Sequence, residues 1–256
     1  MLKKIQVQIP CFRLKRMIHI YLPHDYYQSK KRYPVMYMFD GHNLFHDEDA
    51  TYGKSWGLKK YLDENQIPLI IVGIECNHNG TERLSEFSPY TFEDPEWGHI
   101  EGKGIAFMNW VVNDLKPWID KKFRTKPNRK YTSVGGSSMG GLMSFYSITW
   151  HNKTFSKAAC LSSSFHFCNQ EVVKLCNEKI QPETKVYMSW GSDEVDSKEQ
   201  FTKECNYNLA VLRGLLKQTN QVYPNLIEGG RHCEADWEKE VPVYMEYLFP
   251  EFYKNK

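Results

Sequence analysis

Eight short runs rich in β-branched and aromatic residues punctuate this chain, and their order is what most restricts its fold. In chain order they are IQVQI, MIHIYL, PVMYMF, PLIIVGI, KYTSVGG, KAACLS, KVYMSW and QVYPNLI. The opening runs follow one another directly, whereas the later ones alternate with helical patterns at 104–123, 199–217 and 234–248. Direct connections favour antiparallel strands, and helical crossovers favour parallel ones. The chain therefore predicts an α/β fold: a mostly parallel central sheet with an antiparallel N-terminal edge and helices on both faces.

The length of the chain sets the number of domains that we expect. With 256 residues, 41% of them hydrophobic, the chain can bury one sizeable core, and nothing forces a second. We find no internal repeat, low-complexity tract or Gly/Ser linker. In the helical pattern at 104–123, Pro117 falls inside the apolar stripe, where a kink or break is expected. The sequence predicts a single domain over residues 1–256.

Charge and cysteine content restrict the partners and the location. The chain has 33 basic and 31 acidic residues, so its net charge of +2 gives no electrostatic reason to expect a nucleic-acid or membrane partner. Its start lacks the apolar run of a secretory signal, and no 18-residue apolar span occurs. Seven cysteines without a C-x-x-C pair argue for reduced thiols. We expect a soluble, cytoplasmic protein, and formation of a homo-oligomer is left open.

The stretch GGSSMGG, residues 135–141, contains a G-x-S-x-G motif that can be centred only on Ser138. It lies between a strand ending near Val134 and a helix beginning near Leu142. A strand that turns this sharply into a helix strains its apex residue, and flanking side chains would collide with neighbouring elements. The alternative is a plain small-residue turn, because the motif would arise by chance about one time in ten in such a chain. The motif therefore needs partners.

A serine hydroxyl becomes a nucleophile when a histidine, oriented by a carboxylate, removes its proton. In sheets of this type the acid and then the histidine follow the serine in the chain, each in a loop after a later strand. GSDEVD, after the strand KVYMSW, offers Asp193, Glu194 and Asp196. EGGRHCEADW, after QVYPNLI, offers His232. Both loops fall where a catalytic triad requires them.

An acyl-transfer site also needs amides that bind the oxyanion of the tetrahedral intermediate. Met139, directly after the nucleophile, is expected to supply one of them. The turn DGHN after PVMYMF is expected to supply the other, and the His42 N–H is the best candidate there.

The other histidines have weaker claims on function. His166 precedes the acid in the chain, so it fits the base role poorly, although it could line the pocket. His42 and His46 stand near three acidic residues at 47–49, a pattern with some likeness to a metal site. They lie in a loop rather than on a helix, and spacing places no third ligand. We therefore predict no metal site.

Seven ordered blocks, spanning about residues 16–248, together resemble the putative esterase family of α/β-hydrolases. That family includes feruloyl and acetyl-xylan esterases, siderophore esterases, S-formylglutathione hydrolase and mycolyl-transferases. The blocks are PVMYMFDGHNLF, RLSEFSP, LKPWIDKKFRT, GGSSMGGLMS, LSSSF, WGSDE and GGRHCEADW. The resemblance implies Ser138 as nucleophile, His232 as base, Glu194 as acid with Asp193 as the alternative, and an oxyanion hole from His42 and Met139. Two departures from the family, DGHN for DGQN and LSSSF for LSPSF, affect the pocket rather than the catalytic atoms.

These observations predict a serine carboxylic-ester hydrolase that forms an acyl-enzyme on a small-molecule ester and needs no cofactor. The short connection after KAACLS leaves no room for a large lipase-type lid, so a soluble ester is expected. Trp56, Trp190 and His166 are the candidates for substrate binding, with core packing as the alternative for the aromatic residues. Further aromatic candidates near the active face are Tyr52, Tyr90 and Trp97.

For the substrate, the abundance of carbohydrate-acting members in the family favours an acetyl or feruloyl ester of a carbohydrate. Siderophore-ester hydrolysis and acyl transfer at the same site are the alternatives. A non-catalytic binding module on the hydrolase fold is the alternative of another class.

Overall fold

The computed structural model describes residues 1–176 and 179–254, and its main feature is an eight-stranded sheet. The strands are β1 (Leu2–Ile9), β2 (Leu14–Tyr21), β3 (Val35–Phe39), β4 (Ile70–Ile74), β5 (Phe92–Asp94), β6 (Gly98–Ile100), β7 (Thr132–Ser137), β8 (Lys157–Leu161), β9 (Lys185–Gly191) and β10 (Val222–Ile227). The α-helices are α1 (Leu58–Glu64), α2 (Glu82–Glu86), α3 (Gly104–Trp110), α4 (Lys116–Lys122), α5 (Met139–Trp150), α6 (Asn169–Leu175), α7 (Lys198–Leu216) and α8 (Glu234–Leu248).

The strand order across the sheet is β1-β2-β4-β3-β7-β8-β9-β10. β1 pairs antiparallel with β2, and β2 antiparallel with β4, while every later pairing is parallel. The predicted antiparallel edge and parallel body are therefore confirmed. β5 and β6 form a separate antiparallel hairpin that the sequence patterns did not predict.

Alternate residues of the strands serve two apolar cores, one on each face of the sheet. In β3, Val35, Tyr37 and Phe39 enter one core, and Met36 and Met38 enter the other. The first core is covered by α3 to α7, and the second by α1 and α8. This alternation is the side-chain period of two that strands impose. Helices on both faces were expected, and they hold the sheet as the middle layer.

Pro117 interrupts its helix in a specific way. Residues Val111–Leu115 form a π-helical segment, and α4 then begins with Pro117 in its first turn. Proline is tolerated there because first-turn amides lack an acceptor within the helix. The expected break therefore takes the form of a π segment inside a continuous helical run. In the described residues, no helix combines the length and apolar character needed to cross a bilayer.

One carboxyl group lies buried between α8 and the sheet. Glu240 is 5% exposed and accepts a hydrogen bond from Tyr187 Oη at 2.6 Å. The Tyr187 oxygen in turn accepts one from Asn225 Nδ2 at 2.8 Å. Burial raises the pKa of Glu240 to about 7, although the hydrogen bond from Tyr187 opposes the rise. The native protein therefore holds this proton more tightly than the unfolded chain does.

This proton gives a testable pH dependence of stability. Between the ordinary carboxyl pKa of 4.5 and about 7, the native state binds more protons than the unfolded state, so the free energy of unfolding falls as the pH rises. In Glu240→Gln, the free energy of unfolding should decline less than in wild type between about pH 5 and pH 7, as measured by urea titration. Glu246→Gln, exposed on the same helix, should keep the wild-type decline. Equal declines in wild type and Glu240→Gln would contradict this account.

Candidate active site

Ser138 makes the whole turn from strand to helix, because β7 ends at Ser137 and α5 begins at Met139. Its backbone has φ 58° and ψ −123°, a conformation that costs a non-glycine residue on the order of 1–3 kcal/mol. The Ser138 amide donates to Leu161 O at 3.0 Å, and the Ser164 amide donates to Ser138 O at 3.1 Å. The strained apex that the motif predicts is therefore present and is held by the end of β8 and the loop after it.

Two glycines allow this turn. A Cβ on Gly136 would lie 2.9 Å from the carbonyl carbon of Gly140, and one on Gly140 would lie 3.0 Å from Phe39 Cβ. The first contact is with the helix and the second with a neighbouring strand, as the sequence argument expects. Side chains at either position would push α5 away from the sheet.

His232 and Glu194 meet at the same edge of the sheet. Glu194 Oε2 accepts a hydrogen bond from His232 Nδ1 at 3.1 Å, and Oε1 accepts from the Gly191 amide at 2.5 Å. The alternative acid, Asp193, accepts from Ser192 Oγ at 2.9 Å instead. Of the two candidates, Glu194 is thus the one whose carboxylate orients the imidazole.

Two residues that sequence reasoning missed support this acid. Ser162 Oγ donates to Glu194 Oε1 at 2.7 Å and accepts from Trp237 Nε1 at 2.9 Å. The Trp237 ring also lies edge-on to His232, with the centroids 5.1 Å apart. Ser162 lies in the block LSSSF and Trp237 in the block GGRHCEADW, and membership of these family-like blocks was the only sign in the sequence that they belong to the site. A chain of hydrogen bonds therefore runs from α8 to the carboxylate and on to the imidazole.

The Ser138 hydroxyl lies near the hydroxyl of Ser164, in the loop after β8. Its Oγ lies 3.3 Å from Ser164 Oγ, and within the described residues it makes no hydrogen bond to His232. Because His232 Nδ1 faces Glu194, its Nε2 is the free nitrogen of the ring. Ser138 and His232 line the same two cavities, so the two side chains face common space. Catalytic hydrogen bonds are often long in ligand-free enzymes and tighten on binding.

The two cavities differ in character. The polar cavity, about 570 Å³, is lined by residues that include Asp40, His42, Tyr52, Cys76, His78 and Glu234. The aromatic cavity, about 430 Å³, is lined by residues that include Trp97, His166, Phe167, Trp190 and Phe201. Arg83, Ser138 and His232 line both. A substrate could therefore extend to either side of the serine.

The two residues whose amides are predicted to form the oxyanion hole line the two cavities, His42 the polar one and Met139 the aromatic one. His42 lies in a 3-10 turn, Gly41–Asn43, and Met139 is the first residue of α5. Within residues 1–176 and 179–254, neither N–H meets an acceptor. Arg83 fixes the start of the 3-10 turn by donating two hydrogen bonds to Asp40, each 2.8 Å long. Burial acts to raise the pKa of Asp40, but the Arg83 guanidinium outweighs it and holds that pKa below its ordinary value.

The candidates for substrate binding separate into two groups. Trp190 and His166 line the aromatic cavity, and His166 also lies 3.2 Å from Glu204. The structure corrects the assignment of Trp56, which is 2% exposed and packs in the core, 5.8 Å from the Trp237 ring. Its position in a loop suggested that it could reach the pocket, but burying its large apolar ring is more favourable, so the side chain packs in the core. Trp97, by contrast, is 49% exposed and lines the aromatic cavity.

His42 and His46 do not form the cluster that their spacing suggests. His46 lies 4.0 Å from Glu48, whereas His42 lies with Cys76 and His78, and one ligand atom from each of these three lies within 4.8 Å of the others. Burial lowers the pKa of His42 and raises that of the Cys76 thiol. Sequence reasoning missed this grouping because its members come from two different loops.

A buried ion pair holds the loop that carries Cys76 and His78. Arg16 and Glu86 have side chains 4% and 1% exposed, and Arg16 Nη2 lies 2.5 Å from Glu86 Oε1. Arg16 Nη1 donates to the Glu75 carbonyl at 3.1 Å, and the Asn77 amide donates to Glu86 Oε2 at 3.0 Å. The pair therefore fixes one wall of the polar cavity.

Comparison with known proteins matches most of the chain to one family. A model of the family described as "Putative esterase" matches residues 12–245. The uncharacterized protein YbbA of Bacillus subtilis is 26% identical over 220 residues, which cover 84% of this chain and 79% of YbbA.

Solved structures share the fold at lower identity. A ferulic acid esterase superposes with a TM-score of 0.70 at 18% identity, over 97% of each chain. The enterobactin esterase of Shigella flexneri superposes with a TM-score of 0.75 at 16% identity, over 98% of this chain and 60% of the esterase. At these identities the likeness concerns the fold.

Removing one partner of the buried ion pair should destabilise the protein strongly. Glu86→Ala leaves the Arg16 guanidinium buried and uncompensated, which should cost about 3–5 kcal/mol in the free energy of unfolding. Glu82→Ala, on the same helix, breaks a partly exposed pair with Lys103 and should cost less than about 1 kcal/mol. Urea denaturation measures both. Similar losses in the free energy of unfolding for the two variants would show that the Arg16–Glu86 pair does not stabilise the wall of the polar cavity.

Proposed function

The chain belongs to the putative esterase family of carboxylic ester hydrolases with the α/β-hydrolase fold, and on that premise we propose a catalytic triad of Ser138, His232 and Glu194. The observation that carries the proposal is the 3.1 Å contact between His232 Nδ1 and Glu194 Oε2, beside the strained turn that presents Ser138. A carboxylate on Nδ1 fixes the tautomer in which Nε2 can accept a proton.

The reaction begins when Ser138 Oγ attacks the ester carbonyl carbon. The hydroxyl proton passes to His232 Nε2, the new Oγ–C bond forms, and the carbonyl π electrons move onto oxygen. The amides of His42 and Met139 bind that oxyanion, and each such donor is worth about 10² to 10³ in rate. Collapse of the intermediate breaks the ester C–O bond, and His232 protonates the departing alcohol.

The acyl-enzyme is then hydrolysed by the same groups. Water gives its proton to His232 Nε2 while its oxygen attacks the acyl carbon, and the second oxyanion occupies the same two amides. Collapse returns the proton to Ser138 Oγ and releases the acid. Glu194 stabilises the imidazolium in both steps, and three hydrogen-bond donors hold the carboxylate in place. No metal or organic cofactor enters the sequence of steps.

We propose an acylated carbohydrate, with an acetyl or feruloyl group, as the substrate. The aromatic cavity supports this, because Trp97, Phe167 and Trp190 line it and Trp97 is 49% exposed, so a phenolic or sugar ring would meet aromatic side chains there. The ferulic acid esterase of the same fold is consistent with it. We propose that the enzyme lies in the cytoplasm and acts there on imported oligosaccharides.

A siderophore ester is the second candidate, and the fold shared with enterobactin esterase favours it. Acyl transfer to an alcohol would use the same acyl-enzyme and differ only in the nucleophile of the second step. A non-catalytic binding module is disfavoured, because such a module would be expected to lose a member of the triad, whereas serine, acid and histidine are all present here.

Labelling with a fluorophosphonate tests the nucleophile. One equivalent of the probe should add to folded wild-type protein, measured by intact mass and located by peptide mapping at Ser138. Ser138→Ala should not be labelled and should lose ester turnover. Ser137→Ala, one residue earlier in the same motif, should still be labelled. Labelling of Ser138→Ala, or none in folded wild type, would refute the proposed mechanism.

The acid is tested by two isosteric substitutions in neighbouring positions. Glu194→Gln keeps the shape but loses the carboxylate that orients His232, so kcat for a p-nitrophenyl ester should fall about 10²- to 10⁴-fold. Asp193→Asn, whose carboxylate contacts Ser192 instead, should change kcat by less than about threefold. A larger loss in Asp193→Asn would reverse the assignment.

A panel of p-nitrophenyl esters, acetylated sugars, feruloylated sugars and catecholate siderophore esters tests the substrate class. Trp97→Ala should lower kcat/KM for feruloylated sugars about 5- to 10-fold by removing an aromatic contact, with a smaller effect on short acyl esters. Trp150→Ala, similarly exposed at the far end of α5, is the matched control. Turnover of siderophore esters without turnover of acylated sugars would favour the second candidate.

A further inference from the structure

Two loops outside the proposed triad place metal-ligating side chains together. β3 and β4 are parallel neighbours, with Phe39 opposite Ile74 at their carboxyl ends. His42 follows β3, and Cys76 and His78 follow β4. One ligand atom from each of these three side chains lies within 4.8 Å of the other two. The parallel pairing therefore gathers an N₂S donor set on the wall of the polar cavity.

His42 is already oriented as a ligand. The residue is 6% exposed, and its Nε2 lies 3.0 Å from Thr51 Oγ1. With Nε2–H donating to that hydroxyl, Nδ1 carries the lone pair, and Nδ1 is buried without a hydrogen-bond partner. A buried acceptor left unpaired is costly, so this nitrogen is available to a partner that enters the cavity. Fixing one ring nitrogen by a hydrogen bond is how proteins prepare the other for a metal.

His78 and Cys76 complete the set. His78 Nδ1 lies 3.8 Å from Cys76 Sγ, and His78 Nε2 lies 3.8 Å from Glu75 Oε2. Glu75 is itself held by His19, whose Nε2 lies 2.7 Å from Oε1. The Glu75 carboxylate thus lies near the nitrogen of His78 that does not face Cys76, at ion-pair distance rather than hydrogen-bond distance. The rings of His42 and His78 meet edge to face with their centroids 4.6 Å apart.

We propose that His42 Nδ1, Cys76 Sγ and His78 Nδ1 bind a thiophilic divalent cation of the Zn²⁺ class. Two imidazoles and a thiolate suit zinc, whereas Ca²⁺ and Mg²⁺ prefer oxygen ligands. Zn–N bonds of about 2.0 Å and Zn–S bonds of about 2.3 Å require the ligand atoms to close by roughly 1 Å, and the exposed His78 can make that movement. On binding, Cys76 gives its thiol proton to solvent, and water fills the fourth position.

The position of the site couples it to the proposed catalytic machinery. In the two proposals, the His42 side chain binds the cation and the His42 backbone amide is one of the two oxyanion donors. The cation and its water would also occupy part of the cavity that Ser138 and His232 line. Occupancy should therefore lower ester turnover. This inference goes beyond the proposed function, and metal binding can be measured without any substrate.

Cobalt is the probe for binding, because a thiolate bound to Co²⁺ gives a charge-transfer absorption in the near ultraviolet. Reduced wild-type protein, titrated anaerobically, should show this band and saturate at one equivalent. Cys76→Ser should lose the band, and His78→Gln should weaken binding at least about 10-fold. Cys205→Ser and His46→Gln, outside the cluster, should behave as wild type. No band in wild type, or a band that survives in Cys76→Ser, would overturn the assignment.

Zinc and an ester assay test the location of the ion. One equivalent of Zn²⁺ should lower turnover of a p-nitrophenyl ester by wild type and by His46→Gln, and His78→Gln should keep most of its turnover at the same concentration. Equal inhibition of His78→Gln would place the inhibiting ion elsewhere, for example on His232 and Cys233, and would overturn the proposal. If the proposed function itself fails and no ester is turned over, the cobalt titration still decides whether the site exists.

Discussion

The left-handed backbone at Ser138 is the constraint on which the rest of the site depends. A serine in this conformation is strained, so the surrounding structure must compensate. The compensation comes from α5, whose residues are buried from Met139 to Thr149, and from two hydrogen bonds at the apex, one to the end of β8 and one from the loop after it. Glycine at 136 and 140 lets helix and sheet approach closely enough for that burial. The strain is thus supported by the packing of the whole parallel sheet.

The parallel sheet also explains how residues far apart in the chain meet. The carboxyl ends of β3, β4, β7, β9 and β10 lie along one edge of the sheet. The turn after β3 carries His42, and the loop after β4 carries Cys76 and His78. The proposed nucleophile, acid and base follow β7, β9 and β10. This is where ligands bind in open parallel sheets. In the two proposals His42 belongs to both the oxyanion turn and the metal cluster, so its backbone and its side chain would serve different chemistry. A cation held there would lower ester turnover by occupying part of the cavity, without taking part in the reaction.

Much of this architecture could be predicted from the sequence, because its signals are local. The eight strands, their direction and the turn at Ser138 follow from patterns of a few residues. Elements such as α2 and the β5–β6 hairpin were missed, since segments of three to five residues carry no measurable periodicity. Trp56 was misplaced because a loop position does not reveal which side of the chain packs on the core. The grouping of His42 with Cys76 depends on strand pairing, which no local pattern gives.

The central claim is that three distant side chains and two amides act on one acyl carbon. The most direct test is a crystal structure of the phosphonate adduct, whose phosphoryl oxygen takes the place of the oxyanion. The account predicts a covalent bond from Ser138 Oγ to phosphorus, the phosphoryl oxygen about 3 Å from the amide nitrogens of both His42 and Met139, and His232 Nε2 turned toward Ser138 Oγ. An adduct whose phosphoryl oxygen contacts neither amide, or in which His232 Nε2 does not face Ser138 Oγ, would contradict it.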